Sequence, residues 1–169
     1  MKWIAISGSW RKMNKKLEDD IRASIRKIFA MGNGIVSGGA LGVDYVATGE
    51  ALKLNPTADK IKIFIPTTLE VFAAHYRKRA KERVIKKKQA EILIEQLTKI
   101  KKINTASIIE NEDNKILDKE TYYERNSAII EAADELLSFH VNQSLGTKDA
   151  IVKAHEKGIP VKVFTYIIE

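Results

Sequence analysis

Ile35-Val36-Ser37-Gly38-Gly39-Ala40-Leu41-Gly42-Val43-Asp44 is the stretch that decides the fold. Ile35 and Val36 are β-branched and read as a short buried strand. Ser37-Gly38-Gly39-Ala40 then reads as a tight loop, because glycine reaches backbone angles closed to other residues and allows close approach of a ligand. Val43, Val46, Ala47, Ala51 and Leu54 recur at helical spacing over residues 43–54. A strand that feeds a glycine loop and then a helix is one unit of a parallel sheet.

Working outward, the same unit recurs toward both ends. Residues 2–7 form an apolar run that ends in Ser7-Gly8-Ser9, and a helix over 14–31 follows with Leu17, Ile21, Ile25, Ile28 and Phe29 on one side. Gly32-Asn33-Gly34 closes it, since both residue types tolerate the left-handed exit turn. Residues 61–65 read as a third strand stopped by Pro66. Residues 69–102 read as one long helical stretch, charged in its first half and apolar at Ile92, Leu93, Leu97 and Ile100 in its second. Strands are expected at 106–109, 135–141 and 160–167, with helices at 122–133 and 146–157. The last helix opens on Ser144-Leu145-Gly146-Thr147 and is closed by Gly158.

No repeat or linker divides the chain. Residues 1–169 are therefore expected to form a single Rossmann-like domain: an α/β fold of three layers with a mainly parallel sheet. Segment 69–102 is its long basic helical insertion. In such sheets ligands bind at the carboxyl ends of the strands, near the point where strand order reverses.

Composition narrows the chemistry. Cysteine is absent, which excludes disulfides, thiolate metal sites and a cysteine nucleophile, and fits a reducing compartment. The N-terminal apolar run is too short for a signal peptide, and no stretch reaches the roughly 18 apolar residues of a membrane span. The expected location is cytoplasmic. Between Arg77 and Lys102 stand eleven Lys/Arg against three Glu, in a chain whose formal net charge is +7. The basic character thus belongs to one segment. Arg77, Lys78, Arg79, Arg83, Lys86, Lys87 and Lys88 are its candidates for nucleic-acid contact, with Phe72 and Tyr76 beside them as base-stacking groups. The plainer alternative is a solvated lysine-rich face whose apolar second half pairs subunits in a homodimer or higher homo-oligomer.

Three loops, at Ser7-Gly8-Ser9, Ser37-Gly38-Gly39-Ala40 and Ser144-Leu145-Gly146-Thr147, each follow a strand and precede a helix. Free N–H groups and a partial positive charge at each helix start, with hydroxyl donors nearby, would make a phosphate cradle. Structural turns are the alternative. Neither a Walker A pattern nor the dinucleotide spacing is present, which disfavours a P-loop hydrolase or an NAD enzyme. Asp44 at a helix start is a cap or a contact for a ribose hydroxyl or Arg125. Arg125 suits bidentate phosphate binding, or a salt bridge with Glu124 or Asp134. Tyr122 and Tyr123 suit base stacking or packing alike. Arg125, Glu124 and Asp44 are the only candidates for a catalytic role. His75, His140 and His155 lack ligand spacing, so no metal and no cofactor is assigned.

Val36-Ser37-Gly38-Gly39-Ala40-Leu41-Gly42-Val43-Asp44, followed by Ala47 and Ala51-Leu52, resembles the core signature of the DNA-processing protein A (DprA/Smf) family. Ile4-Ala5-Ile6-Ser7-Gly8-Ser9 is similar to that family's first strand and loop. Glu124-Arg125-Asn126-Ser127-Ala128-Ile129-Ile130 is similar to its Arg-Asn helix start, and Ser144-Leu145-Gly146-Thr147 with Ile159-Pro160-Val161 to its last loop and strand. The resemblance covers residues 2–65 and 122–165 but not the basic segment. It implies a Rossmann-like domain that holds a nucleotide or single-stranded DNA, in DNA processing or recombination. It adds Asn126 to the expected binding set of Ser7, Gly8, Ser9, Ser37, Gly38, Gly39, Ala40, Asp44, Arg125, Ser144, Gly146 and Thr147. Trp10 stands where the family usually has arginine.

The wider superfamily also contains the LOG, or lysine decarboxylase-like, phosphoribohydrolases, which cleave a base from a nucleotide. Arg125 and Gly146-Thr147 resemble their pattern, but Ala150 stands where their glutamate would, and Asp149 is one residue off, about 100° away on a helix. A nucleotide N-glycosidase is therefore the alternative function, and a small-ligand sensor a third.

Overall fold

The computed structural model describes residues 1–169 as one six-stranded sheet with helices on both faces. In chain order the elements are β1 (Trp3–Gly8), α1 (Lys15–Ala30), β2 (Gly34–Ser37), α2 (Val43–Leu54), β3 (Ile61–Phe64), α3 (Leu69–Lys81) and α4 (Lys87–Ile103). Then come a 3-10 turn (Thr105–Ser107), β4 (Ile108–Ile109), α5 (Lys119–Glu131), β5 (Glu135–Val141), α6 (Leu145–Lys157) and β6 (Val161–Tyr166).

The strand order is β4-β3-β2-β1-β5-β6, and every pair is parallel. The chain steps outward from β1 to β4, then returns across the sheet to β5 and continues to β6. Right-handed crossovers place connections made in opposite directions on opposite faces. The two apolar clusters follow this rule. The larger joins α1, α2, α3 and α4 to Ile4, Ile6, Ile35, Ile63 and Phe139, and the smaller joins α5 and α6 to Ala5, Val36 and Leu136. The expected three layers are present, and the reversal of strand order falls between β1 and β5.

Local chemistry sets the element ends. Asn14 caps α1 by accepting from the Leu17 N–H at 2.9 Å, and Asp118 and Thr121 form a reciprocal cap on α5. Gly158 takes a left-handed conformation and ends α6. At the far end of α5, the Lys157 ammonium donates to the carbonyls of Ile130, Glu131 and Ala133 at 2.7–2.9 Å, where both charge and hydrogen bonding favour a cation.

Segment 69–102 departs from the single long helix expected of it. The chain breaks between Lys81 and Lys87, with Arg83 at φ +59°, and the two helices pack as a hairpin zipped by Arg77 and Glu91 at 3.1 Å. Leu93, Leu97 and Ile100 lie in the main core, as do Phe72 and Tyr76. Leu93, Leu97 and Ile100 of the apolar half are therefore used within the chain. The expected strand at 106–109 is reduced to Ile108–Ile109 because the 3-10 turn takes up its start. No helix is long and apolar enough to cross a membrane.

Candidate functional site

The carboxyl ends of β1, β2 and β5 open into a cleft of about 660 Å³ at the reversal of strand order. This is within the range of small-molecule sites and is the position expected of a doubly wound sheet. Ser7 and Gly8 from the end of β1, Gly38 and Ala40 after β2, Asp44, Arg125, Asn126, and Ser144, Gly146 and Thr147 at the start of α6 all line it. One wall is built by Tyr122 and Tyr123, and another by His75, Tyr76 and Arg79 of α3.

The three loops are not equivalent. The start of α6 is the open one. Ser144 supplies no side-chain cap, and the N–H groups of Leu145, Gly146 and Thr147 have no hydrogen-bond partner in the protein. Three bare N–H groups with the helix dipole behind them face the cleft, the chemistry that suits an anion. The first loop differs. Its helix starts six residues later and is capped by Asn14, and the Ser9 hydroxyl accepts from the Lys12 N–H at 3.2 Å. Ser9 is buried and does not line the cleft, so its hydroxyl holds the turn.

In the second loop the glycines divide the work. A Cβ on Gly38 would fall 2.7 Å from the Arg125 guanidinium carbon, so Gly38 is what lets that side chain lie against the loop. Gly39 has φ +69°, and a Cβ there would strike Ile63 and Ile65 on the core side. Gly39, expected in the binding set, therefore does not line the cleft, and a side chain there would fill the core. Ser37 is fully buried at the end of β2, and its hydroxyl has no formed hydrogen bond.

Arg125 is the centre of the arrangement. Its Nη1 donates to the Gly38 carbonyl at 2.9 Å, its Nη2 to Asn126 Oδ1 at 3.2 Å, and its buried Nε has no partner. The Tyr122 ring lies beneath the guanidinium, 5.1 Å from its carbon. No carboxylate pairs with it. Glu124 instead accepts from Asn111 at 2.9 Å and lines a separate, shallower groove, and Asp134 accepts from the Trp3 N–H at 2.7 Å. Both salt bridges considered from the sequence are thus absent, and Glu124 does not reach the main cleft.

Asn126 has a fixing role. Its Nδ2 donates to the Gly146 carbonyl at 3.3 Å and to Asp149 at 3.1 Å while its Oδ1 holds Arg125. One side chain thereby sets the guanidinium relative to the start of α6. Asp149 is further held by Lys153 at 2.7 Å, while Ala150 lines the cleft. The angular offset expected between these neighbours is what the helix produces.

Asp44 is 7% exposed. It is not the helix cap. Its carboxylate turns back to accept from the Ala40 N–H at 3.2 Å and so closes the second loop. Burial pushes its carboxyl above the usual carboxylate range, although the Arg125 charge and the Ala40 N–H pull the other way.

Of the basic candidates, Arg79 alone lines the cleft, and it also pairs with Glu82 at 3.1 Å. Arg77 is bonded to Glu91, and Lys78 stands 4.0 Å from Glu82. Arg83, Lys86, Lys87 and Lys88 are exposed around the hairpin turn. Phe72 is fully buried and Tyr76 is 4% exposed, so neither is free to stack on a base.

Two residues are not placed at the site by the sequence reading, in which Trp10 figures only as standing where the family usually has arginine. Ser138, the register partner of Ser7, carries a fully buried hydroxyl without a partner; its signal was a polar residue inside the apolar run Leu136-Leu137-Ser138-Phe139. Trp10 lines the cleft at 40% exposure.

Solved structures share this architecture. DNA processing protein A from Helicobacter pylori, described for its single-stranded DNA binding mode, is 22% identical with a TM-score of 0.70, over 96% of this chain and 64% of that one. DNA processing protein A from Streptococcus pneumoniae is 17% identical with a TM-score of 0.50, over 95% and 58%. The molybdenum cofactor carrier protein from Chlamydomonas reinhardtii is 14% identical with a TM-score of 0.55, over 98% and 79%. The chain spans less than two thirds of both DNA processing proteins. No curated protein sequence matches it. The family model for DNA recombination-mediator protein A matches residues 1–167, basic hairpin included, and by that match this chain belongs to the DNA recombination-mediator protein A family.

Proposed function

We propose that the cleft binds a phosphate-bearing nucleotide unit of single-stranded DNA and that the domain acts by binding rather than by catalysis. One observation carries the reading. The Arg125 guanidinium is fixed beside the bare N-terminus of α6 with no carboxylate in salt-bridge contact, Asp44 acting on it only at longer range. Charge-assisted hydrogen bonds to a phosphate oxygen suit both groups at once. Membership of a recombination-mediator family and the described binding mode of the Helicobacter pylori protein support a single strand as the source of that phosphate. The exposed cations at the α3–α4 turn offer a path for the rest of the strand.

A nucleotide hydrolase is the weaker reading. The carboxylate its pattern needs on α6 is replaced by Ala150, and Asp149 is committed to Asn126 and Lys153.

The test is an amide-resolved titration with an oligo(dT) strand. Binding at the cleft shifts the N–H signals of Leu145, Gly146 and Thr147 first. A strand that binds tightly while these signals stay still would refute the assignment.

A further inference from the structure

We infer that Trp10 is the platform on which a nucleobase stacks while its phosphate sits at Arg125 and the start of α6. The inference rests on the binding reading above and adds the part of the ligand that reading leaves unassigned.

The aromatic groups around the cleft differ in what they have free. Tyr76 is 4% exposed and has its ring edge against Phe72. Tyr122 already carries the Arg125 guanidinium on its ring, and Tyr123 meets the ammonium groups of Lys119 and Lys153 at 5.4 and 5.3 Å. Trp10 also has a cation over its ring, but at 40% exposure it is the largest aromatic surface at the cleft that is still open to solvent.

Its backbone is held firmly. The Ser9 carbonyl accepts from the Val43 N–H at 2.9 Å, which ties the loop to the first turn of α2. The Ser9 hydroxyl takes the N–H groups of Lys12 and Arg11 at 3.2 and 3.4 Å and sets the turn on the other side of Trp10. The Arg11 guanidinium lies 5.3 Å from the indole centre. A rigid turn thus presents a large apolar plane, with the Arg11 cation over the ring, at the cleft that the proposed phosphate site occupies. Every base has a π-face, so such a plane recognises a base without reading its identity. The ligand class is therefore a nucleotide with its base present, recognised by plane and phosphate together.

The sequence contains its own probe. Trp3 is the only other tryptophan; it lies at the amino end of β1 with the Lys62 ammonium 4.0 Å from its ring centre. In a Trp3→Phe background, fluorescence reports Trp10 alone. Two strands of about 12 nucleotides would be titrated, oligo(dT) and an abasic strand of equal charge. Oligo(dT) should quench the emission and the abasic strand should not. Trp10→Leu should weaken oligo(dT) by about 5- to 150-fold, the range for losing one base–aromatic stack, and leave the abasic strand unaffected. Trp10→Phe should retain most of the affinity, and an unchanged melting profile for each variant separates stacking from folding. If Trp10→Leu binds oligo(dT) as tightly as the parent while Arg125→Ala does not, the stacking inference is wrong and the phosphate reading stands. If the parent binds neither strand, both are wrong.

Discussion

Removing the Arg125 side chain is the most direct perturbation of the cleft. The guanidinium has five N–H donors, of which Nη1 and Nη2 each give one to Gly38 and Asn126. The second N–H on each of Nη1 and Nη2 remains for a ligand, while the Nε–H is buried without a partner. A hydrogen bond to a charged group contributes about 1.5–3 kcal/mol, so Arg125→Ala should weaken single-strand binding by roughly 10- to 150-fold. Losing one neutralised phosphate should also flatten the log–log salt dependence by about 0.7. Arg125→Lys keeps the charge and should keep most of that slope. A single ammonium cannot reproduce the paired anchors on Gly38 and Asn126, so its affinity should fall between parent and Arg125→Ala. Fluorescence anisotropy of a labelled oligo(dT) strand at four salt concentrations measures both quantities. An affinity loss in Arg125→Ala with an unchanged slope would show that the side chain acts by holding the Gly38 loop. No change in either would place the strand elsewhere.

Four further outcomes follow from particular residues. Replacing Lys86, Lys87 and Lys88 with Glu removes three cations from a helix start that has no acidic residue in its first turn. Thermal melting should show a gain of about 0.3–1 kcal/mol per charge from the helix dipole, while salt-dependent titration shows weaker strand binding; an unchanged affinity and slope would assign the lysines to solvation. Gly39→Val should cost about 2–5 kcal/mol in urea denaturation, from the φ of +69° and the clash with Ile63 and Ile65, and a variant of parental stability would contradict the core-facing assignment. The Glu50 side chain is 5% exposed and bonded to Arg22 and Arg26, and these partners hold its carboxyl below the usual range despite its burial. Its contribution is therefore present above the unfolded carboxyl value of about 4.3 and lost as pH falls through the lower folded value; Glu50→Gln should cost about 2 kcal/mol at neutral pH, less than a fully buried pair because Arg26 can return to water, and should flatten the acid limb of a stability–pH curve. Finally, purified protein should release no free base from nucleoside monophosphates by chromatography, and turnover that disappears in Arg125→Ala would restore the hydrolase reading.

How far the sequence carried the fold depends on how local each signal is. Helix α2 and strand β5 begin and end where the residue pattern places them, at Val43–Leu54 and Glu135–Val141, since a glycine loop or a change of period marks each end. The break in segment 69–102 has no such mark. Neither glycine nor proline stands between Lys81 and Lys87, and Arg83 takes the left-handed conformation that glycine usually supplies. The weak signal was the pair Val84-Ile85 inside a run of cations. The same charges obscured a helical stripe of Leu69, Phe72, Ala73, Tyr76 and Ala80, which packs inward and removes Phe72 and Tyr76 from any ligand.

The site was legible as residue types and not as roles. Arg125, Asn126, Gly38 and Gly146 all meet at one cleft, yet what each does depends on partners 20 to 87 positions away. Asn126 illustrates the limit. Its sequence context suggests a phosphate ligand, but both ends of its amide are committed to Arg125, Gly146 and Asp149. Its effect on a ligand must then pass through the placement of Arg125 against α6. That distinction has a physical consequence. A direct ligand lost by mutation removes its own hydrogen bond, whereas losing the amide frees a guanidinium that still carries its charge. Asn126→Ala should therefore leave the salt slope intact while affinity falls, the opposite pairing to the flattened slope of Arg125→Ala.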